Sequence, residues 1–410
     1  MPANTAERSF TMPSLSLPTI RCRTQSNLHD HPLQSLALSL LRGVAALEVA
    51  AGHLRSEIYP GLRSLQDPTL AYQVFAFVTG FAHQAVVVFF LISGWLVGGS
   101  LLNRLHQPRA LANYAIDRVT RLWTVLLPTL VLILLVGLVI GVAQPGAVDL
   151  SPSNHYSAAS FVGNLLGLQT FLVPNFGGNY ALWSLTYETW YYVQFPLLAL
   201  VLFGHGRFKR LACAAAFVLL VIVLPKMISM YFMLWLLGAA FSRIELHCGN
   251  GLRLVLGLLT MGLFSYYRLT GSNNELVPES FVQDMVCSVP LLLLLSSLHQ
   301  PVDPFAPRFL RINRIATFFS EFSFTLYVTH LPLIFLAIHI GGKTFGREQL
   351  DPFVTPDYLW YGALLLCLVG FAYVFYLAFE RNTFRIRRAM KDWLLAPRSN
   401  RPTVSVLSPD

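Results

Sequence analysis

SLALSLLRGVAALEVAAGHL, residues 35–54, is a run of twenty residues in which only Arg42, Glu48 and His53 are ionisable. At 1.5 Å per residue, a helix of that length spans about 30 Å, the thickness of a bilayer's hydrocarbon core. Runs of this kind recur along the chain. Ten are expected to cross a membrane, near 35–54, 82–101, 118–143, 181–204, 209–225, 227–244, 251–268, 281–299, 315–340 and 357–380. Two short neighbours meet at Pro225, and the run at 315–340 carries Pro332 as a place to break.

Composition agrees. Of 410 residues 55% are hydrophobic and 12% charged, with a mean hydropathy of +0.56. Soluble domains carry about 25% charged residues. The balance excludes a disordered, nucleic-acid-coating or ordinary cytosolic protein, and it points to an all-α polytopic membrane helix bundle. Residues 1–33 are polar and lack the short apolar core and cleavage site of a secretory signal, so they read as a disordered cytoplasmic tail. Residues 34–385 form the membrane domain, and 386–410 a basic cytoplasmic tail. Cys22, Cys213, Cys248, Cys287 and Cys367 are scattered, without metal-like or disulfide-framework spacing.

The net charge of +9 raises the question of an anionic partner. With the N-terminus inside, 22 of the 29 Lys and Arg fall on cytoplasmic segments and 6 on outer loops, while Arg42 lies within the first helix. That asymmetry fits ten helices with both termini cytoplasmic. Topology therefore accounts for most of the charge. The longest outer loop, 144–180, contains no Lys or Arg, and its stretch 157–171 is apolar enough to lie along the membrane surface. No inverted repeat of the transporter kind is visible.

Ionisable side chains inside membrane helices are costly and mark functional candidates. Arg42 and His53 are eleven residues apart, three helical turns, so they share one face about 16 Å apart along the axis. Each could snorkel to its own interface. Alternatively they line a channel wall with a fixed cation at one end and a proton acceptor at the other. Glu48 points about 140° from His53 and is expected to pair with another helix.

Two further clusters stand out. LWSLTYETWYYVQFP, 182–196, carries Glu188 among Trp183, Tyr187, Trp190, Tyr191 and Tyr192. A carboxylate there fixes packing through a hydrogen bond or takes a cationic partner. The rings suit an interfacial belt or a sugar-stacking platform. FFSEFSFTLYVTHLPLI, 318–334, repeats Glu321, Ser323, Tyr327 and His330 at helical spacings. His330 lies mid-membrane and is expected neutral and hydrogen-bonded. No GxSxG elbow, HExxH, P-loop or HxxxxD occurs.

Taken together, these pieces resemble the acyltransferase 3 family of integral-membrane acyltransferases. The matches are Arg42-x10-His53, FFLISGW around Ser93 and Gly94, Arg118 with Arg121, WSLTYE ending at Glu188 with Tyr192 and Pro196, FSFTLYVTHLP around His330, and the terminal Glu380. They occur in the family's order across residues 42–380. Ser39, Val87 and Asn382 depart from it, standing where many members have Asp, Asp and Pro. The stand-alone subgroup, without a fused extracellular hydrolase-like domain, is the nearer likeness.

The resemblance implies an O-acyltransferase of the inner membrane with an acyl-CoA donor, acetyl-CoA foremost, no tightly bound cofactor and no metal. The acceptor implied is a sugar hydroxyl of a lipid-linked or exported glycan. His53 is implied as catalytic base with Glu188 holding its tautomer; Arg42, Arg118 and Arg121 as ligands of coenzyme A phosphates; and Trp183, Ser184, Tyr192 and His330 at the acceptor. A covalent acyl intermediate on His53 is an open alternative. So is a small hydrophobic acceptor. From another class, a transporter of an acylated or glycan intermediate would use the same ionisable residues but would leave a thioester intact.

Overall fold

The computed structural model describes residues 18–26, 31–143, 155–270 and 277–395. A short strand, β1 (Thr19–Cys22), precedes α1 (Pro32–Ile58) and α2 (Leu70–Val78). Next, α3 (Ala82–Ser93) runs through a π-helical segment, Gly94–Gly98, into α4 (Gly99–Arg104), and α5 (Ala110–Ile140) follows. After α6 (Ala158–Leu165) come α7 (Trp183–Phe203), α8 (Arg207–Val223), α9 (Lys226–Phe241), β2 (Ile244–His247), α10 (Asn250–Thr270) and α11 (Pro278–Ser296). The chain closes with α12 (Pro307–Glu321), α13 (Ser323–Phe345), α14 (Thr355–Ala378) and α15 (Thr383–Leu395).

The protein is an all-α membrane bundle, and among the described residues seven helical segments are long and apolar enough to cross a bilayer. The other three expected spans are present as helices. The 21-residue α7 has the length, but Glu188, Gln194 and its tyrosines dilute its hydropathy, while α8 and α9 have only 17 and 16 residues.

α1 is the central post and packs against α3, α12, α13 and α14. Its small residues permit this. A Cβ on Gly43 would meet the Phe319 side chain at 2.7 Å, and Ala46, Val49 and Ala50 are fully buried. Across the bundle α3 and α9 touch backbone to backbone. A Cβ on Gly94 would fall 1.9 Å from the Trp235 carbonyl oxygen, and one on Gly238 would fall 2.1 Å from that of Leu91. The π-helical turn begins at this contact, a distortion often found at functional sites.

Three expectations need correction. The 315–340 run breaks at Phe322, between α12 and α13, not at Pro332, which is absorbed inside α13. The N-terminal stretch 1–33 is not wholly disordered: β1 pairs antiparallel with β2, and Arg23 bridges Glu245 at 2.5 Å. A mixed tetrapeptide, TIRC, paired to a strand more than 200 residues away has no local signature. Similarly, the boundary at 385 falls inside α15, which docks on α5 through Lys391 to Asp117 at 2.7 Å. Residues 1–17, 27–30 and 396–410 of the expected tails, and 144–154 of the long loop, lie outside the described residues.

Candidate active site

One face of α1 organises the site. Arg42 Nη2 donates to Ser323 Oγ at 3.3 Å, and His53 Nδ1 lies 2.8 Å from His330 Nε2 with the rings stacked. The face shared by Arg42 and His53 is thus met by Ser323 and His330, two turns apart on α13. Glu48, on another face, accepts from the Phe81 backbone N–H at 2.8 Å and so caps the start of α3.

At the Arg42 end the helices enclose a cavity of about 600 Å³, whose walls include Arg42, Arg118, Arg121, Glu188, Tyr192 and Glu380. Glu188 is held on two sides: Ser93 Oγ donates to Oε1 at 2.8 Å and the Tyr192 hydroxyl donates to the same oxygen. Ser93 is placed in turn by the Trp235 indole N–H, 3.1 Å away.

Arg118 and Arg121, one turn apart on α5, have different surroundings. Arg121 Nη1 donates to Glu380 Oε1 at 2.5 Å, and Thr325 donates to Oε2 through its hydroxyl at 2.6 Å and its N–H at 3.2 Å. Arg118 instead lies over the rings of Tyr192 and Tyr114, at 5.5 and 5.9 Å from their centroids. Among the described residues it has no carboxylate within ion-pair distance, and its Nε is buried without a hydrogen-bond partner. A guanidinium that lies over rings, with no carboxylate among the described residues, retains most of its capacity to bind an anion.

The cavity wall also carries Ser184 and Tyr327, whose hydroxyls are 2.7 Å apart, and the Tyr327 hydroxyl donates to the Ala181 carbonyl at 3.0 Å. One turn further along α13, the His330 ring stands edge-on to Tyr327 with centroids 6.0 Å apart. The histidine pair lies behind this tyrosine rather than on the cavity wall.

The pair's tautomers follow from one acceptor. His330 Nδ1 is 3.1 Å from the Leu326 carbonyl, which can only accept, so Nδ1 carries the proton. His330 Nε2 is then the acceptor toward His53, and His53 Nδ1 is the donor. What remains is the lone pair on His53 Nε2, the form in which an imidazole takes a proton or attacks a carbonyl.

Six of the residues selected from the sequence, Arg42, Arg118, Arg121, Ser184, Glu188 and Tyr192, therefore line one cavity, while His53 and His330 pair behind it. Trp183 stands apart, edge-on to Tyr187 and Phe90. The expected contact between Glu188 and His53 is replaced: the cavity polar groups hold Glu188, and the partner of His53 is His330. Nor do the α7 aromatics form a belt. Tyr187 and Tyr191 pack in the core, and Trp190 donates to the Gly167 carbonyl at 2.9 Å.

Some site residues were not selected. Glu380 and Ser93 belong to motifs of the family resemblance that imply no role for them, although a carboxylate closing an apolar run is a usable signal. Tyr180, which meets the His53 ring edge-on at 5.1 Å, lies in a loop where no periodicity marks it. A second buried network, Asp284 with His83 at 2.9 Å and Tyr231 at 2.6 Å, ties α11 to α3 and α9.

A family model described as an acyltransferase domain, that of acyltransferase 3, matches residues 35–377, from the start of α1 almost to the end of α14. No curated protein and no solved structure matches the chain.

Proposed function

Because the chain belongs to the acyltransferase 3 family and is a multi-pass membrane acyltransferase, we propose that it transfers an acyl group, acetyl foremost, from acyl-CoA to a sugar hydroxyl of a lipid-linked or exported glycan at the inner membrane. The observation that carries the donor half is Arg118, a guanidinium facing the cavity that Arg42 also lines, with no carboxylate partner among the described residues. Phosphate groups of coenzyme A are the anions that complete such a site. Arg387, at the cavity wall where α15 meets α5, is paired with Asp117 at 3.5 Å and adds positive charge on that side. Arg121 serves differently in this reading. Bound to Glu380, it holds the wall.

A sugar hydroxyl is a weak nucleophile at neutral pH. In the proposed step the thioester end of the donor extends from the cavity past Tyr327 to His53, and the hydroxyl's proton passes to His53 Nε2 as its oxygen bonds to the thioester carbonyl carbon. The C–S bond then breaks, and the proton leaves with the thiolate as free coenzyme A thiol. The tautomer role expected of Glu188 goes to His330, which keeps the proton of His53 on Nδ1. A positioned base of this kind is worth roughly 10² to 10⁴ in rate. Glu188, with Ser93 and Tyr192, shapes the donor cavity between the arginines and Tyr327.

The test has two arms. Purified full-length protein, supplied with envelope glycans as acceptor, is assayed for thiol release from acetyl-CoA, and base-labile O-acyl groups on envelope and exported glycans are followed by proton NMR. The cells compared lack the protein, carry it, or carry His53→Ala. Thiol release, and glycan acylation restored only by the unmutated protein, are expected. An intact thioester refutes the donor, and identical spectra from all three cells refute the glycan acceptor. Arg118→Ala is expected to raise the acetyl-CoA KM with little change in kcat.

A further inference from the structure

Beyond His53, one turn further from Arg42 along α1, stands Glu57, whose Oε1 accepts the Tyr180 hydroxyl at 2.7 Å. The Tyr180 ring meets the His53 ring edge-on, with centroids 5.1 Å apart and 69° between planes. Neither residue has a part in the reaction above.

Their chemistry is selective. Among the described residues Glu57 forms no ion pair, and the loop 144–180 that delivers Tyr180 contains no Lys or Arg. A carboxylate accepts hydrogen bonds only, and one from Tyr180 leaves it room for others. An uncompensated negative charge beside the base repels an anionic group and accepts from hydroxyls. The exposed part of a tyrosine ring offers an apolar face with a polar edge. His53 and Glu57 are four positions apart, about 6 Å along the helix and close to the width of a pyranose ring.

Something must hold Tyr180 in register with a helix to which it is not covalently near. Pro332 supplies the means. It has no backbone N–H, so the Val328 carbonyl four residues earlier on α13 is left without its helical donor. Asn179 Nδ2 takes that carbonyl at 3.0 Å, with both residues buried. An unsatisfied buried carbonyl would cost about 1 to 3 kcal/mol, which explains how α13 continues through Pro332. Asn179 is the neighbour of Tyr180, and two residues beyond Val328 is His330. One hydrogen bond therefore sets the Tyr180 strap against the histidine pair.

We propose that Tyr180 and Glu57 form the acceptor subsite, taking an uncharged, hydroxyl-rich ring whose reacting hydroxyl reaches His53, and that Asn179 is its positioning residue. This rests on the reading of the chain as an O-acyltransferase acting on hydroxyls.

The test uses full-length protein in lipid nanodiscs with saturating acetyl-CoA and two probes, methyl α-D-glucopyranoside and its uronate, following thiol release and acetylated glycoside. The unmutated protein should favour the neutral probe. Glu57→Gln should raise its KM about tenfold, leave the acetyl-CoA KM unmoved and bring the two probes to near parity. Tyr180→Phe should raise the same KM, and Asn179→Ala should lower acceptor kcat/KM with the donor KM unmoved. A role in folding alone would shift donor and acceptor constants together, and that result overturns the subsite. So does a preference for the uronate, unchanged discrimination in Glu57→Gln, or thiol release with neither glycoside acylated. No thiol release from the unmutated protein overturns the transferase reading beneath it.

Discussion

His53 on α1 and His330 on α13 share one hydrogen bond, Nδ1 to Nε2 at 2.8 Å, with their ring planes 27° apart. Because the second nitrogen of His330 is committed to the Leu326 carbonyl, the proton positions in the pair are fixed by backbone geometry. This gives His330 a role through His53, separate from any contact with substrate.

His330→Ala should therefore lower kcat by roughly 10- to 100-fold, short of the loss in His53→Ala, with the acetyl-CoA KM unchanged. His330→Gln, whose amide oxygen can accept from His53 Nδ1, should recover part of the rate. Thiol-release kinetics on equal amounts of membrane-inserted protein measure this, and an unaffected kcat in His330→Ala would contradict the assignment.

Glu380 joins three helices, receiving Arg121 from α5 and Thr325 from α13 at the end of α14. Its side chain is 2% exposed, whereas that of Arg121 is 29% exposed. Glu380→Ala strands the guanidinium beside Arg42 and should cost about 3 kcal/mol, the lower end for breaking a buried pair because Arg121 keeps some solvent. A fall of several degrees in the Tm of detergent-solubilised protein is expected. An unchanged melt would show that the pair is not structural.

α15 forms part of the donor cavity, contributing Phe384 and Arg387, and is clasped to Asp117 by Arg387 and Lys391. A chain ending at 395 should keep its activity. One ending at 382 should insert normally but lose about tenfold in acetyl-CoA affinity, as expected when a charged hydrogen-bonding group is removed. Equal donor KM values for the two chains would place the phosphates elsewhere.

At the junction of β2 with the end of α11, burial pulls the His299 imidazole below its ordinary value. His299 Nδ1 bonds the Ser296 carbonyl at 3.0 Å, and Nε2 lies 3.0 Å from His247 Nδ1. A His whose folded value is depressed stabilises the native state above its unfolded value, about 6.5, and loses that contribution as pH falls toward the folded value. Tm should therefore drop between pH 7.5 and 5, and His299→Asn should lessen the drop. A parallel pH dependence in the variant would exclude His299 as its source.

Much of the architecture is legible in the residues themselves. A twenty-residue apolar run needs its backbone hydrogen bonds satisfied internally, so helices and their rough limits follow from local composition. Periodicity also put Arg42 and His53 on one face, because 3.6 residues per turn is a property of the helix alone. The break at Phe322 was less readable, since Pro332 looked the stronger breaker. Its freed carbonyl is satisfied by Asn179, a residue nearly 150 positions away.

The sequence by itself determined a membrane-embedded helical bundle, its family and the side chains expensive enough to need a purpose. Only the tertiary structure decided which of them meet. It gave His53 a histidine partner instead of Glu188, bound Arg121 to Glu380 while leaving Arg118 without a carboxylate among the described residues, and brought Tyr180 from a loop to the end of α1. The reason is physical: helix formation depends on neighbours within a few residues, whereas a hydrogen bond or ion pair between helices depends on their packing, which no local pattern encodes.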